Sequence, residues 1–392
     1  MRRIKVTQLL TGLAIGEMNG GAEMFAMRLC GALDPAVVEL SVACLWSYGT
    51  PTERRWAREL AAIGIPVTYG APHRNQMRRD AYLGFVGSYH ALRGLRPDIL
   101  HTHTEWADFV GVAQRLTGVV PHMLRTCHNV MEWTFGRHWE PRMDAIYPLV
   151  YDREVAVSPA AAARLNARPV AVRLGRRAAY VPNAIEPEKV LGQLTGRDCR
   201  AELGIAPDAP LLLCVGRLSE QKGIDLLLRA MAQIRQLRPE ATLLIVGNGE
   251  DREALHALHA ELELGRSALF LGPRADVPDL MRCADLVISS SRWEGLPTVV
   301  LEAMLLGTPV LATDIPGSRD LIRDGENGLL VAPGDAAALA GRVLAALDDR
   351  AALRRMAERA RDTADAFGIE RVARTYEQIY SEIIGGEIVR GS

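Results

Sequence analysis

Short runs of Val, Ile and Leu alternate with longer segments of helical periodicity along the whole chain. Runs of about four to eight mainly apolar residues bounded by turn residues indicate buried strands. In the first half they are Ile4–Leu10, Val38–Leu45, Ile65–Tyr69, Asp98–His101, His122–Cys127 and Glu154–Val157. In the second half they are Leu211–Val215, Thr242–Val246, Ala268–Leu271, Asp285–Ile288 and Pro309–Ala312. Because these runs do not alternate with polar residues, they predict parallel sheets covered by helices on both faces, a doubly wound α/β architecture.

The alternation of strands and helices stops once, between Val181 and Leu211, where prolines and glycines are frequent. Such a stretch is typical of a connection between domains. We therefore predict an N-terminal Rossmann-like domain over residues 1–185 and a C-terminal one over residues 186–370. The apolar residues of Arg371–Ile384 have helical spacing, so residues 371–392 are expected to pack back on the N-terminal domain as a helix.

The composition narrows the class of protein. The chain has 392 residues, 48% hydrophobic and 24% charged, and its net charge of -1 gives no reason to expect binding to nucleic acid. The six cysteines form no C-x-x-C pair, which favours free thiols in a reducing compartment. The longest apolar run, Leu296–Ala312, is interrupted by Glu302 and Gly307, so it is not a membrane span. These features predict a cytoplasmic protein.

The segment Arg292–Glu302 carries two carboxylates eight positions apart, Glu294 in a Gly/Pro turn and Glu302 in an apolar helical stretch. A carboxylate among apolar neighbours is costly to bury unless donors reach it, and a ribose diol offers two. The turn Glu294–Pro297 opens a helix at Thr298, whose first N–H groups can hold an anion. The segment indicates a sugar-nucleotide site; the alternative is a turn residue followed by an exposed glutamate.

The strand Leu211–Val215 leads into the loop Gly216–Gly223, and a helical pattern begins at Ile224. A strand, a glycine loop and a helix start can form an anion site, and Arg217 and Lys222 add two cations suited to a diphosphate. Ligands of open α/β sheets bind beyond the carboxyl ends of the strands, where this loop must lie. A surface loop with solvated charges gives the same pattern.

In the first half, Gly20 and Gly21 precede the helical segment Ala22–Leu33. Paired glycines let the backbone approach a phosphate or a sugar closely, although a flexible turn looks the same. The spacing is not G-x-G-x-x-G, and no acidic residue ends the next strand, so a nicotinamide cofactor gains little support.

Histidines end two neighbouring strands. His101 and His103 form an H-x-H pair that can ligate zinc, but no third ligand follows at a recognisable spacing, so we predict no metal site. His128 follows the strand His122–Cys127. Because carboxyl ends of parallel strands converge, His128 is a candidate hydrogen-bond partner for a sugar or an acceptor. A histidine satisfied by the backbone is the alternative.

Together these residues resemble the retaining glycosyltransferases of family 4, which have the GT-B fold of two Rossmann-like domains facing a central cleft. The resemblance spans most of the chain. Its motifs are Glu294–Glu302 with the following Ala303–Val310, Gly216–Gly223, Val246–Gly249, Val181–Asn183 and Asn19–Glu23. Each motif is modest alone, but all of them in family order are specific. One departure is Ala184, where the family often has Gly or Asp.

The resemblance implies roles for the matching residues. Arg217 and Lys222 would contact the donor diphosphate and stabilise the leaving group. Glu294 would contact the donor sugar, and His128 would lie near the transferred sugar, which completes the predicted catalytic set. The predicted donor-binding residues are Gly20, Gly21, Gly216, Gly295, Leu296, Pro297, Thr298 and Glu302. In the family the residue that matches Glu302 holds the ribose.

The resemblance also implies the reaction. It predicts transfer of a hexose from a UDP- or GDP-sugar, with retention, to a glycan or lipid-linked acceptor in cell-surface polysaccharide biosynthesis. It implies no metal, no separate cofactor and closure of the two domains over the donor. Two alternatives stay open: a non-catalytic nucleotide- or glycan-binding protein with this fold, and a dinucleotide-dependent oxidoreductase.

Arginines surround an apolar helix-like stretch, Tyr82–Leu95, in the first half. They are Arg74, Arg78, Arg79, Arg93 and Arg96. Such a pattern is typical of peripheral contact with an anionic membrane at its inner face. It is equally typical of an ordinary amphipathic helix with solvated charges.

Overall fold

The structure is a computed structural model that describes residues 2–14, 21–128 and 139–385. The chain divides into two compact units by its contacts. The first unit comprises Met1–Ala184 and Ile369–Ser392, and the second comprises Ile185–Gly368. The chain therefore passes from the first unit to the second and returns for its last helix.

Each unit is built on one parallel sheet. The first sheet contains β1 (Ile4–Leu10), β2 (Val38–Ser47), β3 (Val67–Pro72), β4 (Ile99–Thr102), β5 (His122–Cys127), β6 (Arg153–Ala156) and β7 (Ala179–Tyr180), in the order β3-β2-β1-β4-β5-β6-β7. The second contains β8 (Leu211–Val215), β9 (Thr242–Val246), β10 (Ala268–Gly272), β11 (Leu286–Ser289), β12 (Val310–Thr313) and β13 (Leu329–Val331), in the order β10-β9-β8-β11-β12-β13. The strand order reverses between β1 and β4 and between β8 and β11, where α/β sheets bind ligands.

Helices connect the strands and cover the sheets. Those of the first half are α1 (Gly21–Ala32), α2 (Pro51–Ala62), α3 (Met77–Leu95), α4 (Glu105–Leu116), α5 (Glu140–Val150), α6 (Pro159–Asn166) and α7 (Pro169–Leu174). The second unit adds α8 (Pro187–Gly192), α9 (Cys199–Leu203), α10 (Ile224–Leu237), α11 (Arg252–Glu261), α12 (Val277–Cys283), α13 (Thr298–Leu305), α14 (Pro316–Arg319), α15 (Ala336–Asp348) and α16 (Arg350–Asp365). The last helix is α17 (Ile369–Ile383).

The prediction of a doubly wound α/β architecture is confirmed. The predicted strands that became β1, β5, β8 and β9 have the observed bounds, and the other predicted strands are shifted by up to three residues. The sequence missed β7 and β13, which have two and three residues. Strands this short present too few apolar positions to stand out from a loop.

The last helix, α17, is part of the core of the first unit. Val372, Tyr376 and Tyr380 on its apolar face are buried with residues of β1, β4 and β5. Its side chains therefore reach the carboxyl ends of the central strands of the first sheet, 200 and more residues earlier in the chain.

All six cysteines are free thiols, and most are buried. None of the helices in the described part of the chain combines the length and the apolar character that crossing a bilayer requires.

Candidate functional site

Lys222 and Glu294 meet at the switch point of the second sheet, on the loops that follow β8 and β11. The Lys222 Nζ lies 2.5 Å from Glu294 Oε1, and the Ser291 hydroxyl donates to the same oxygen at 2.8 Å. The Gln221 amide donates to Glu294 Oε2 at 3.4 Å. The side chains are only 23% and 8% exposed for Lys222 and Glu294. A half-buried cation thus has one fixed orientation, because the carboxylate beside it is itself held by two other donors.

The backbone around Lys222 is fixed by the loop after β11. The Arg292 N–H donates to the Gln221 carbonyl at 2.7 Å, and the Ser290 hydroxyl donates to the Lys222 carbonyl at 2.9 Å. Arg292 also forms a bidentate ion pair with Asp225 at 2.8 and 2.7 Å. Burial alone would raise the pKa of Asp225, but the Arg292 hydrogen bonds and charge hold it below its ordinary value. The two loops therefore behave as one bonded unit.

Glycines allow the loops after β8, β9 and β11 to touch through their backbones. A Cβ on Gly247, whose φ is +140°, would lie 1.9 Å from the Gly216 carbonyl oxygen. A Cβ on Gly223, whose φ is +59°, would lie 2.2 Å from the Ser290 carbonyl oxygen. Gly216 leaves room for Lys222, since a Cβ there would lie 3.3 Å from the Lys222 Cε. Only glycine permits this close packing without moving a loop.

Helix α13 opens directly after this loop. Leu296 and Pro297 are buried, and the backbone of Gly295 lies against the next loop: a Cβ on Gly317 would approach its carbonyl oxygen to 2.6 Å. Thr298 and Glu302 are half-buried and one helical turn apart. The helix residues around them are buried: Val300, Leu301, Ala303, Met304 and Leu305.

This arrangement gives α13 one polar stripe on an otherwise buried helix. The first N–H groups of a helix have no acceptor within it and attract negative charge. The stripe thus combines a helix start at Thr298, of the kind that attracts negative charge, with a carboxylate one turn later at Glu302.

The remaining predicted residues of the two loops can be placed as well. Arg217 directly follows Gly216 and its side chain is exposed. Gly21 begins α1, and open space lies where its Cβ would be. Gly20 lies outside the described residues. The structure therefore joins Lys222 to Glu294 and puts Arg217 on the same loop.

Three histidines of the first unit, His101, His103 and His128, lie together at the carboxyl ends of β4 and β5; the first two are buried and His128 is half-buried. The His128 Nε2 lies 3.4 Å from the His103 Nδ1, and the His103 Nε2 lies 2.5 Å from the Gln8 Oε1. The His128 ring packs edge-on against Phe25, with 5.2 Å between ring centroids. Burial lowers the pKa of His101 and of His103 well below the ordinary value, so both are neutral at pH 7.

Both histidines of the H-x-H pair form hydrogen bonds with protein side chains. The described parts of the chain contain no cluster of three or more His, Cys, Asp or Glu residues suited to a metal ion. His101 and His103 instead hydrogen-bond to side chains of β1, β5 and α17.

Sequence reasoning missed several members of the site. Gln221 and Ser291 support Glu294, and the Arg292–Asp225 ion pair joins the two loops. The only signal for Gln221 and Ser291 is their nearness in sequence to Lys222 and Glu294. Nothing in the sequence shows that Gln8 on β1 contacts His103, because that contact depends on strand register.

The two halves of the chain match two family models. Residues 197–363 match the model described as "Glycosyl transferases group 1", and residues 19–189 match the model described as "Glycosyltransferase Family 4".

Curated relatives are similar over parts of the chain. The chain is 35% identical over 181 residues to the lipopolysaccharide core biosynthesis glycosyltransferase LpsE of Rhizobium meliloti, covering 46% of this chain and 52% of LpsE. It is 31% identical over 225 residues to the lipopolysaccharide core biosynthesis mannosyltransferase LpsB of the same organism, covering 54% of this chain and 64% of LpsB. The chain thus spans between about half and two thirds of the length of these relatives.

Solved structures extend the similarity to the whole fold. The crystal structure of Anabaena HepE in complex with UDP and glucose has a TM-score of 0.77 and 22% identity, covering 97% of this chain and 100% of HepE. With one Rossmann-like parallel sheet in each unit and a family model matched by each half, the chain belongs to glycosyltransferase family 4 and has the GT-B fold.

Proposed function

We propose that this protein is a glycosyltransferase that moves a hexose from a UDP- or GDP-sugar to a glycan or lipid-linked acceptor, with retention of configuration. The observation that carries the proposal is the Lys222–Glu294 contact at the switch point of the second sheet, beside the start of α13. A fixed cation next to a helix N-terminus suits a diphosphate, and the carboxylates nearby suit sugar hydroxyls.

Each part of the donor has a partner in this proposal. Lys222 and Arg217 bind the diphosphate, and the first N–H groups of α13 face the same negative charge. Glu302 accepts hydrogen bonds from the ribose hydroxyls, and Glu294 accepts one from the transferred sugar. When the sugar–phosphate bond breaks, these preorganised cations and dipoles stabilise the charge that develops on the leaving phosphate.

The pairing of Glu294 favours retention by a front-face route. Its Oε1 already accepts from Lys222 and from Ser291, so it is a hydrogen-bond acceptor rather than a nucleophile. The departing phosphate then accepts the proton of the acceptor hydroxyl, which attacks from the same face. Proton NMR of the product measures the anomeric configuration, and an inverted anomer would contradict this mechanism.

The relatives support the donor and the biological setting. HepE is described in complex with UDP and glucose, and LpsE and LpsB are named for lipopolysaccharide core biosynthesis. We propose a nucleotide sugar as co-substrate, with no metal or separate cofactor, and cell-surface polysaccharide biosynthesis as the pathway.

A thermal-shift panel tests the donor class. We expect UDP or GDP, with or without an attached hexose, to raise the melting temperature of the protein, and Lys222→Ala to reduce that shift. A shift with NAD or NADP alone would favour the oxidoreductase alternative. A shift with UDP or GDP but neither donor hydrolysis nor transfer above the Lys222→Ala background would favour a non-catalytic binding protein.

We also propose that α3 docks peripherally on the inner face of an anionic membrane, where lipid-linked acceptors are found. Arg78 and Arg79 are exposed in its first turn, and Tyr82 is 66% exposed one turn later. Cations beside an exposed aromatic residue suit a lipid headgroup region. Co-sedimentation with liposomes containing phosphatidylglycerol tests this: binding that survives Arg78→Glu with Arg79→Glu would remove the docking proposal.

A further inference from the structure

Two thiols of the second unit lie against the same backbone oxygen. The Sγ of Cys199, at the start of α9, is 3.9 Å from the Arg197 carbonyl oxygen, and the Sγ of Cys283, at the end of α12, is 3.7 Å from it. The two thiols also form a hydrogen bond with each other. Two residues that are far apart in the sequence therefore bring their sulfur atoms to one place.

The segment that carries Cys199 is held on α12 by other bonds. The Thr195 N–H and hydroxyl donate to the Asp279 carboxylate at 3.0 and 2.8 Å. The Arg200 Nε donates to the Cys283 carbonyl oxygen at 3.1 Å. These bonds lie on both sides of Cys199, so the two segments are held together before any bond between the sulfurs forms. Such positioning raises the effective concentration of one thiol at the other.

The two thiols differ in their access to solvent. All six cysteines lie in the described part of the chain, and of these Cys283 is half-buried and the other five are buried. Cys199 is 2% exposed, and its burial, together with the Cys283 thiol beside it, raises its pKa above the ordinary value. Cys199 is therefore a protonated thiol at pH 7, and a small oxidant from solution reaches Cys283 first.

We propose that Cys199 and Cys283 form a redox modification site, at which hydrogen peroxide converts the two thiols into a disulfide within the chain. A thiol reductant restores both cysteines. The site lies wholly in the second unit, and the inference does not depend on the proposed transfer reaction.

The oxidation proceeds in two steps that balance. The Cys283 thiolate attacks one peroxide oxygen: an S–O bond forms, the O–O bond breaks, and hydroxide leaves and takes up a proton to become water. The Cys199 sulfur then attacks the sulfenic acid on Cys283. An S–S bond forms, the S–O bond breaks, and the departing oxygen leaves as water with the proton of the Cys199 thiol. The two sulfurs lose two electrons, which the peroxide gains.

The disulfide should also stabilise the second unit. It closes a loop of roughly 80 residues and so restricts the unfolded chain, which should raise the urea midpoint of this unit by about 1–2 M. Cys214 is buried in the core of the second unit, so its alkylation during urea unfolding measures this midpoint. Cys30 and Cys44 are buried in the core of the first unit, and the midpoint that they report should not change.

Mass spectrometry of the full-length protein tests the proposal. The protein is treated with hydrogen peroxide, its remaining thiols are alkylated in urea, and it is digested without reductant. We expect linked peptides that contain Cys199 and Cys283, that dithiothreitol separates, and that form at a rate independent of protein concentration. Cys30 and Cys44 are a control within the same molecule. They are buried in one cluster, away from the oxidant, and should be recovered as alkylated thiols.

Two variants assign the roles of the thiols. In Cys283→Ser, peroxide should leave Cys199 as a thiol, because burial keeps the oxidant away from it. In Cys199→Ala, Cys283 has no partner and should proceed to the sulfinic and sulfonic acids, which dithiothreitol does not reverse. Cys283→Ser alters a half-buried side chain, so this variant keeps the test decisive if Cys199→Ala fails to fold.

Three results would overturn the inference: sulfinic acid on Cys283 forming as fast in the unaltered protein as in Cys199→Ala, a linkage whose rate rises with protein concentration, or no oxidation of Cys283 by peroxide in the folded protein. A urea midpoint for Cys214 that is the same in the oxidised and the reduced protein would overturn the stabilising effect.

Discussion

At the scale of single residues, we expect a substitution at Lys222 to impair the proposed transfer reaction and to leave the stability of the fold nearly unchanged. We expect Lys222→Ala to lower turnover of the nucleotide sugar about 100-fold or more, because one preorganised charge facing the leaving group is lost. The free energy of unfolding should change by less than about 1 kcal/mol, since a partly solvated ion pair contributes little and Glu294 keeps the Ser291 hydrogen bond. Steady-state kinetics and urea unfolding measure the two effects.

A second lysine of the same unit provides the control. Lys189 is 64% exposed and pairs with Glu186 at 3.3 Å, so Lys189→Ala should leave both turnover and stability unchanged. Full turnover in Lys222→Ala would remove this residue from the reaction.

Gly247 determines how closely the loops after β8 and β9 approach each other. Gly247→Ala would bring a methyl group to 1.9 Å from the Gly216 carbonyl oxygen, so the loop that carries Lys222 must move. We expect a loss of about 3 kcal/mol in the free energy of unfolding and weaker binding of UDP or GDP, measured by urea unfolding and calorimetric titration.

A substitution at Gly272 is the control that distinguishes the effect of the steric clash at Gly247 from the effect of backbone strain. Like Gly247, Gly272 is a glycine with a positive φ, +67°, at the end of a strand, here β10, but nothing lies within 4 Å of its Cβ position. Gly272→Ala should cost about 1–2 kcal/mol and leave nucleotide affinity unaltered. Equal affinity losses in the two variants would show that the Gly216–Gly247 approach is unimportant for binding.

The elements show why some of this molecule can be predicted from sequence and some cannot. Buried parallel strands such as β1 and β8 are read from their apolar runs, whereas β7 and β13 are too short for that signal. The loop after β8 was predicted as an anion site from the sequence, because glycines and two cations follow a strand there. The contact of Gln221 with Glu294 was not, because it depends on how two loops approach each other in space. The contact of Ser291 with Glu294 was not either, because it depends on the conformation of the loop after β11.

The same limit applies to the histidines at the ends of β4 and β5. The H-x-H spacing is one that can ligate zinc, although we predicted no metal site, and only His128 was a candidate for a ligand contact. The partners of His101 and His103 come from β1, β5 and α17. The contact between His101 and Tyr380 joins residues 279 positions apart. Strand register and the packing of the last helix decide such contacts, and neither is written in a local pattern.

Because His101 and His103 are buried at the carboxyl end of β4, we predict that the stability of the protein depends on pH. Burial lowers the folded-state pKa of His101 and His103, whereas in the unfolded chain a histidine titrates near about 6.5. Below about pH 6.5 the unfolded chain therefore binds protons that the folded chain does not bind. The contribution of these histidines to the free energy of unfolding is fully present above about pH 6.5 and is lost as the pH falls below it. Each histidine contributes a slope of up to about 1.4 kcal/mol per pH unit.

Urea unfolding at a series of pH values from neutral to mildly acidic measures this slope. Carboxylates contribute to it as well, so the comparison with His103→Gln isolates one histidine. The variant should lose less stability between neutral and acidic pH, by close to the contribution of one proton. Parallel curves for the two proteins would mean that His103 is protonated in the folded state.

At the scale of the whole molecule, we expect the folding of the first unit to depend on the last helix of the chain. It follows Gly368, the last residue of the second unit, yet its apolar residues belong to the core of the first. We expect a chain that ends at Gly368 to keep the second unit folded and to lose the first. Burial of Val372, Tyr376, Ile379 and Tyr380 is worth roughly 1.5–3 kcal/mol for each side chain, and a domain is stable by only about 5–15 kcal/mol.

Hydrogen exchange measured by mass spectrometry locates the loss. In the shortened chain, peptides from β1, β4 and β5 should exchange rapidly, while those from β8, β9 and β11 should stay protected. Full-length protein with Arg371→Asp and Arg374→Asp, on the exposed face of the same helix, should keep protection in both sheets, because the buried face is intact. If β1 stayed protected without α17, the helix would be an accessory to the first unit rather than part of its core.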